Sequence, residues 1–444
     1  MSLEIGLASG KVRGVAMNGV RRFAGIPYAA PPVGDLRWKP PSPIAPWTGV
    51  RDAFDFGPDS LQPLFPAHPL WASSRMSEDC LYANVWAPVD ADNGPVLVNI
   101  HGGGFQLGSG AVSLVDGTPL AQAGLIVVTF NYRLGQLGFC GGSQWLQDQI
   151  AALQWVQSNI RAFGGDPARV TIAGVSAGGV SVNALNMSPM AAGLFDQAVM
   201  ISGGGDALFS TDPHPDKPSA TAAVAPIHAT AFANGAGERP VVDGDLIPDL
   251  PSRFYPRGRL NARRLLIGFS NFESSLLDDM GLPADVMASA LTPFAATEPE
   301  AAHVVDGYTL YDHLIFRAPA IGLTAAASAA GIESYLLDCQ YVPSALRGKL
   351  RGSPHALAMY AMLGNMAGGC DDLGVTASRS DLDVASLFRA RLVAFVAGGA
   401  PNITGDTLWH ALTAAQPEAL RISAVGTATM GPPSGLHDLA RLAL

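Results

Sequence analysis

Residues 170–180 read VTIAGVSAGGV, an apolar run that leads into a serine with glycines around it. The first half has the composition of a strand buried on both faces, and a helical segment follows the second half. A serine at such a strand-to-helix turn is held exposed and strained, as a hydroxyl nucleophile requires. We therefore interpret Ser176 as a candidate nucleophile, with Gly174 and Gly178 present to avoid a clash. The alternative is an ordinary glycine-rich turn, because GxSxG alone is a weak pattern in a chain with 50 glycines.

Similar apolar runs recur along the chain and are separated by helix-period segments such as residues 146–163. The runs lie at 96–100, 125–130, 170–175, 197–202, 264–268 and 333–337. This alternation predicts an α/β fold, with a central, mostly parallel sheet and helices on both faces. The residues before 96 are rich in turn signals around short strands, which predicts an N-terminal antiparallel extension. We expect one domain over residues 1–444, in which the Pro-, Ala- and Thr-rich segment around 205–240 forms a short cap, a mobile lid or a poorly ordered loop.

Composition excludes several classes of function. With 48% hydrophobic and 14% charged residues, the chain can bury a large core. A net charge of −10 without a Lys or Arg cluster argues against nucleic acid as a partner. No apolar run is long enough to suggest a membrane span, and the N-terminal MSLEIGLASGKVRG does not resemble a secretory signal.

The cysteines indicate a reducing compartment. The four of them lie far apart, without metal-ligand spacing, at Cys80, Cys140, Cys339 and Cys370. So few cysteines in so long a chain do not form a disulfide framework, so we expect a cytoplasmic protein without a bound metal. The excess of arginine over lysine is typical of a GC-rich bacterial genome.

The stretch HGGGFQLGSG at 101–110 follows the apolar run 96–100 directly. Acyl transfer turns a carbonyl oxygen into an oxyanion, and each preorganised amide donor there contributes about 3–4 kcal/mol. Glycines let the backbone approach the reacting carbon closely. In α/β-hydrolases the donors come from such a loop and from the residue after the nucleophile. We therefore predict Gly103, Gly104 and Ala177 as the oxyanion hole, and we interpret His101 as structural.

The base and the acid should follow the serine in the order Ser, Asp or Glu, His. Of the nine histidines, His355 lies in a loop after the run 333–337, where Pro354 prevents an earlier helix start. The acid should follow the run 264–268, and Glu273 is the nearest carboxylate to that run. Asp278 and Asp279 are the alternatives, which we expect to cap or decorate the next helix.

At this point the sequence resembles the type B carboxylesterase family, which includes cholinesterases and p-nitrobenzyl esterases. The likeness runs through FAGIPYAAPPVGDLRWKPP, SEDCLYANVWAP, HGGGF, DQIAALQWVQSNIRAFGGDPARVTIAGVSAGG and GFSNFES. It implies the α/β-hydrolase fold and a catalytic triad of Ser176, Glu273 and His355. It also implies two structural ion pairs, Arg37 with Glu78 and Arg133 with Asp166.

Departures from the family pattern concern the substrate pocket. Val175 stands where the family usually has glutamate before the serine, which disfavours choline-like substrates. The interval between 204 and 240 is shorter than in the family, so the site should be more open. Phe105, Leu107, Trp71 and Val175 are candidate pocket residues, although the aromatic ones are as often core. Ser202 either supports the triad from behind or only packs there.

These features predict a serine carboxylic-ester hydrolase that acts through an acyl-enzyme on small to medium, uncharged esters. Its partners would be the ester substrate and water, and it would need no cofactor because an ester is already activated for attack. An amidase, carbamate hydrolase or lactonase with the same triad is an alternative. A non-catalytic, cholinesterase-like adhesion protein is a second, which such a complete triad disfavours.

Overall fold

A computed structural model describes residues 3–63, 70–73, 75–214, 216, 238–279 and 306–434. The strands among these residues are β1 (Glu4–Leu7), β2 (Gly10–Arg13), β3 (Val15–Met17), β4 (Val20–Pro27), β5 (Val50–Asp52), β6 (Tyr82–Pro88), β7 (Gly94–Ile100), β8 (Ile126–Phe130), β9 (Gly165–Val175), β10 (Gln197–Ile201), β11 (Arg264–Ser270), β12 (Glu333–Cys339), β13 (Ala419–Ile422) and β14 (Ala428–Gly431). Every apolar run predicted as a strand is a strand in the structure.

The central sheet has eleven strands in the order β14-β13-β12-β11-β10-β9-β7-β8-β6-β4-β3. The consecutive part of this sheet, β8-β7-β9-β10-β11-β12-β13, is parallel throughout. Antiparallel pairs at β8-β6-β4-β3 form the N-terminal extension, and β14 adds an antiparallel edge at the other side. Strands β1, β2 and β5 form a separate small sheet. The predicted α/β class with an antiparallel extension is confirmed.

The helices connect the parallel strands. They are α1 (Thr118–Ala121), α2 (Gly135–Phe139), α3 (Gln144–Asn159), α4 (Ala177–Met187), α5 (Pro251–Phe254), α6 (Ser275–Asp279), α7 (Gly307–Tyr311), α8 (Ala318–Ala329), α9 (Leu357–Leu363), α10 (Met366–Asp372) and α11 (Arg379–Val396). A π-helical segment, Asp312–Arg317, joins α7 to α8. The predicted helix at 146–163 is α3 followed by a short 3₁₀ turn.

Both faces of the sheet are buried, as the continuous apolar runs predicted. Along β7, Val96 and Val98 belong to one hydrophobic cluster and Leu97 to the other. The same alternation occurs in β11, where Ile267 and Leu266 point to opposite clusters. Because successive side chains of a strand point to opposite faces, these strands carry both cores.

Of the two ion pairs implied by the resemblance, one is present, whereas the partner predicted for Arg133 is wrong. Arg37 forms a two-pronged pair with Glu78, with nitrogen–oxygen distances of 2.6 and 2.5 Å. Arg133 pairs with Asp148 in α3, at 2.8 and 2.6 Å. Both side chains of the second pair are fully buried. Asp166 instead caps the turn at Ala168, with its carboxylate 3.0 Å from that amide nitrogen.

Most of the predicted lid at 205–240 lies outside the described residues. Its two ends meet at an isolated parallel bridge between Ser210 and Val241. The amide of Ser210 donates to Pro240 at 2.8 Å, and that of Val242 donates to Ser210 at 2.8 Å. The segment therefore leaves and re-enters the fold at one place. Among the helices described, none has the length and apolarity needed to cross a membrane.

Candidate active site

Ser176 lies in the turn between β9 and α4. Its backbone has φ of 58° and ψ of −129°, a conformation that non-glycine residues seldom adopt. The turn is crowded: a Cβ atom on Gly174 would lie 2.3 Å from the carbonyl oxygen of Gly178. The amide of Ser176 donates to Ile201 at 3.1 Å, which ties the strained turn to the adjacent strand β10. The predicted strand–serine–helix turn is therefore present, with its strain held by neighbouring backbone.

The glycine loop after β7 presses against this serine. A Cβ atom on Gly102 would lie 2.7 Å from the carbonyl oxygen of Val175 and 3.2 Å from Cβ of Ser176. Gly103 and Gly104 follow with φ of 107° and 61°. Glycine is thus needed at 102 for close approach and at 103 and 104 for backbone conformation.

The loop presents amide groups beside Ser176. The carbonyl of Gly103 accepts from the amides of Gln106 and Leu107, at 3.1 and 3.0 Å. Within the described part of the chain, the amides of Gly103, Gly104 and Ala177 have no hydrogen-bond acceptor. Ala177 is the first residue of α4, where the helix leaves its N–H groups unpaired and adds a positive dipole end. The arrangement can therefore receive an anionic oxygen.

Phe105 supports the loop from below. It has φ of 61°, unusual for an aromatic residue, and its side chain is buried. Its ring centroid lies 5.2 Å from that of Phe139 and 4.9 Å from that of Trp145. These ring contacts favour a supporting role for Phe105 over contact with substrate.

The next residue, Gln106, donates a side-chain hydrogen bond to Glu238 at 2.9 Å. Burial raises the pKa of the Glu238 carboxyl group.

The remaining candidate pocket residues lie in different places. Leu107 is half-buried, and its side chain would meet a Cβ atom on Gly103 at 2.7 Å. Val175 is buried in the sheet next to Ser176. Trp71 donates from Nε1 to Asp372 at 2.9 Å, which connects it to the end of α10. Val175 is thus next to the serine in the chain, Leu107 packs against the glycine loop at Gly103, and Trp71 is anchored on a helix.

Glu273 is fully buried just beyond the end of β11. Its Oε1 accepts from the hydroxyl of Ser202 at 2.6 Å and from the amide of Ser270 at 2.7 Å. Its Oε2 lies 2.5 Å from Nδ1 of His355. The structure therefore brings the predicted acid and base together. It also places Ser202 in contact with the acid, which agrees with a supporting role for this serine behind the triad rather than with packing alone.

Backbone contacts join the His355 loop to the Glu273 loop. The amide of Ser353 donates to Asn271 at 2.7 Å, and that of His355 donates to Ser275 at 2.9 Å. The outer nitrogen of His355, Nε2, is buried and has no hydrogen-bond partner among the described residues. An imidazole whose Nδ1–H is held by a carboxylate presents Nε2 as a proton acceptor.

His101 lies close to the site but is not placed for acid–base chemistry. Its ring stacks on Tyr132 with centroids 4.4 Å apart. Burial lowers the pKa of His101 to about 4, so the ring is neutral near pH 7. The alternative acids Asp278 and Asp279 are the last residues of α6.

Two ionisable residues near the site were missed in the sequence. Asp312, in the π-helical segment, accepts from the amide of Ser274 at 2.5 Å. Arg351 donates to the hydroxyl of Ser274 at 2.5 Å. Arg351 could have been noticed in the sequence because it lies in the same loop as His355, whereas nothing in the local sequence pattern pointed to Asp312.

The fold and the site geometry define an α/β-hydrolase with a nucleophile turn, an amide-rich loop and a carboxylate–imidazole pair. The sequence model of the carboxylesterase family matches residues 2–231, just over half of the chain. The chain belongs to the carboxylesterase family. The matched range contains Ser176 and the glycine loop, whereas Glu273 and His355 lie beyond it.

Individual relatives agree with this membership. The chain is 50% identical over 206 residues to a para-nitrobenzyl esterase of Bacillus subtilis (strain 168), covering 44% of this chain and 42% of that protein. It is 48% identical over 214 residues to a fumonisin B1 esterase of Sphingopyxis macrogoltabida, covering 44% and 39%. This chain thus spans less than half the length of these two relatives. A solved PNB esterase structure superposes over 100% of both chains with a TM-score of 0.84 and 29% identity.

Proposed function

We propose that this protein is a serine carboxylic-ester hydrolase that acts through an acyl-enzyme. The observation that carries the proposal is the buried Glu273–His355 pair, whose Nε2 is left without a partner. Ser176 follows β9, Ser202 follows β10 and Glu273 follows β11, so the three residues lie at one edge of the parallel sheet. In open α/β sheets this edge is where ligands bind.

The reaction follows from these positions. His355 takes the proton of the Ser176 hydroxyl at Nε2 while the serine oxygen attacks the ester carbonyl carbon. The carbonyl oxygen becomes an anion that the amides of Gly103, Gly104 and Ala177 stabilise. The alcohol leaves with the proton from His355, and water repeats the sequence to release the acid.

Each triad neighbour has a role in this scheme. Glu273 holds the imidazole in one tautomer and stabilises the positive charge that the ring gains. Ser202 fixes the other oxygen of the same carboxylate. The strained turn of Ser176 and the packing of Phe105 hold the nucleophile and the amides in place before substrate binds. No metal or cofactor takes part, because an ester carbonyl is already activated.

The substrate class proposed is small to medium, uncharged esters. Val175 puts an apolar, buried side chain next to the nucleophile. A cationic ester would therefore lack a countercharge at this position. We also propose a reducing, cytoplasmic location, because all four cysteines are free and buried.

The test is hydrolysis of p-nitrophenyl esters of increasing acyl length by the wild type and by Ser176→Ala. We expect the variant to lose activity by about 10⁴- to 10⁶-fold without a change in Tm. Ser158→Ala is the matched control, since Ser158 is exposed on α3 and should be indifferent. Retained hydrolysis in Ser176→Ala would refute the mechanism. A wild type that cleaves only the anilide or carbamate analogues would establish the alternative substrate class.

A further inference from the structure

Arg351 lies on the loop that leads into His355, and its guanidinium is held between two aromatic rings. Its Cζ is 4.5 Å from the ring centroid of Phe272 and 4.9 Å from that of Tyr308. Phe272 precedes the catalytic acid in the chain, and Tyr308 lies in α7. Stacking of this kind fixes the plane of the guanidinium and stabilises it between the two rings.

The polar contacts of Arg351 join the same segments. Its Nη2 donates to the Ser274 hydroxyl at 2.5 Å, and its Nη1 lies 3.3 Å from Oδ2 of Asp306. Asp306 is the N-cap of α7, where it accepts from the amide of Thr309 at 3.0 Å. One side chain therefore connects the His355 loop, the Glu273 loop and the start of α7.

Ser274 is bonded from two sides. Arg351 donates to its hydroxyl, and its own amide donates to Asp312 at 2.5 Å. Glu273 is the preceding residue, so its backbone is fixed on this side while Ser202 fixes its carboxylate on the other. Phe316, in the same π-helical segment as Asp312, packs on the His355 ring at 5.4 Å.

We propose that Arg351 is a positioning residue for the acid–base half of the triad, which keeps the His355 and Glu273 loops aligned on α7. This inference rests on the esterase function proposed above. It adds a role for a residue that contacts neither the substrate nor the reacting atoms.

The test compares Arg351→Gln and Arg351→Lys by kcat and KM. We expect Arg351→Gln to lower kcat about 10- to 100-fold with little change in KM, because the base is misplaced. Arg351→Lys should restore only part of kcat, since lysine lacks the planar fork.

Two further variants make the result specific. Arg347→Gln is the matched control: Arg347 donates to the carbonyl of Val342 at 3.2 Å and stacks on Tyr341, so kcat and KM should stay unchanged. Ser274→Ala removes the hydrogen-bond acceptor but keeps Arg351, so kcat should fall with little change in KM.

The inference is overturned if Arg351→Gln keeps wild-type kcat, or if KM changes as much as kcat. If Arg351→Gln does not fold, the Arg351→Lys and Ser274→Ala variants decide: wild-type kcat in both contradicts the positioning role. A wild type without esterase activity would refute the proposed function instead, so the two failures are distinguishable.

Discussion

Asp312 is a carboxyl group that the proposed reaction does not use, although it lies against the loop of Glu273. It is 4% exposed and accepts from the amide of Ser274. Burial raises its pKa to about 8 from an ordinary value of 3.8, with Arg351 opposing and Glu273 adding to the shift. The folded protein therefore keeps a proton on Asp312 that the unfolded chain has lost. Because only the folded protein holds this proton, the free energy of unfolding falls as the pH rises from about 4 to about 8, by up to about 1.4 kcal/mol per pH unit.

We expect Asp312→Asn to remove this loss, because asparagine has the same shape and cannot ionise. The Tm of the variant relative to the wild type should rise steadily between about pH 5 and 8 and then level off. Asp383→Asn is the control, since Asp383 is 61% exposed in a surface pair with Arg379. A difference in Tm that is constant with pH would mean that Asp312 is already ionised in the folded protein.

At the scale of elements, the turn between β9 and α4 depends on backbone packing. A Cβ atom on Gly178 would lie 2.1 Å from the carbonyl oxygen of Ile100, at the end of β7. That oxygen belongs to a strand paired with β9, so it cannot move aside as a flexible side chain would. Gly178, two residues after the nucleophile, is thus required by the contact between helix α4 and the sheet.

Gly178→Ala should therefore lower the free energy of unfolding by about 1–3 kcal/mol or more and reduce activity. Gly322→Ala is the matched control in α8, where nothing lies within 4 Å of the added methyl group. The control should gain up to about 1 kcal/mol from its better helix propensity. Urea unfolding of both variants checks this, and a Gly178→Ala protein as stable as the wild type would show that the turn can relax.

At the scale of the whole molecule, the two hydrophobic clusters share the strands that separate them. Trp145 and Trp155 belong to one cluster, and Trp86 and Trp409 belong to the other. Losing one cluster exposes the second face of the same strands to water. We propose on this basis that the chain folds as a single domain.

A single domain should unfold in one transition, although chains of this length often show intermediates. The double variants Trp145→Phe/Trp155→Phe and Trp86→Phe/Trp409→Phe remove the fully clustered, buried tryptophans of one cluster each. In each variant we expect the fluorescence midpoint in urea to coincide with that of far-UV circular dichroism. Separate midpoints for the two clusters would contradict the single-domain proposal.

Local pattern was sufficient for much of the fold. Continuous apolar runs identified the parallel strands, because a strand buried on both faces has no polar face to interrupt it. The order of serine, acid and base, each after a strand, allowed the residues now found at the sheet edge to be selected. The π-helical segment was not predicted, because its residues keep an ordinary helical composition.

The sequence by itself determined the order of serine, acid and base along the chain and the glycine-rich pattern around Ser176 and after β7, since motifs and apolar runs are local. Only the tertiary structure decided which charges meet. The resemblance implied Asp166 as the partner of Arg133, whereas in the fold Arg133 pairs with the buried Asp148 of α3. Arg351 and Asp312 acquired a relation to the Glu273 loop in the same way. An ion pair depends on the distance between the two charged groups and on their burial in the folded chain, and neither can be read from their separation in the sequence.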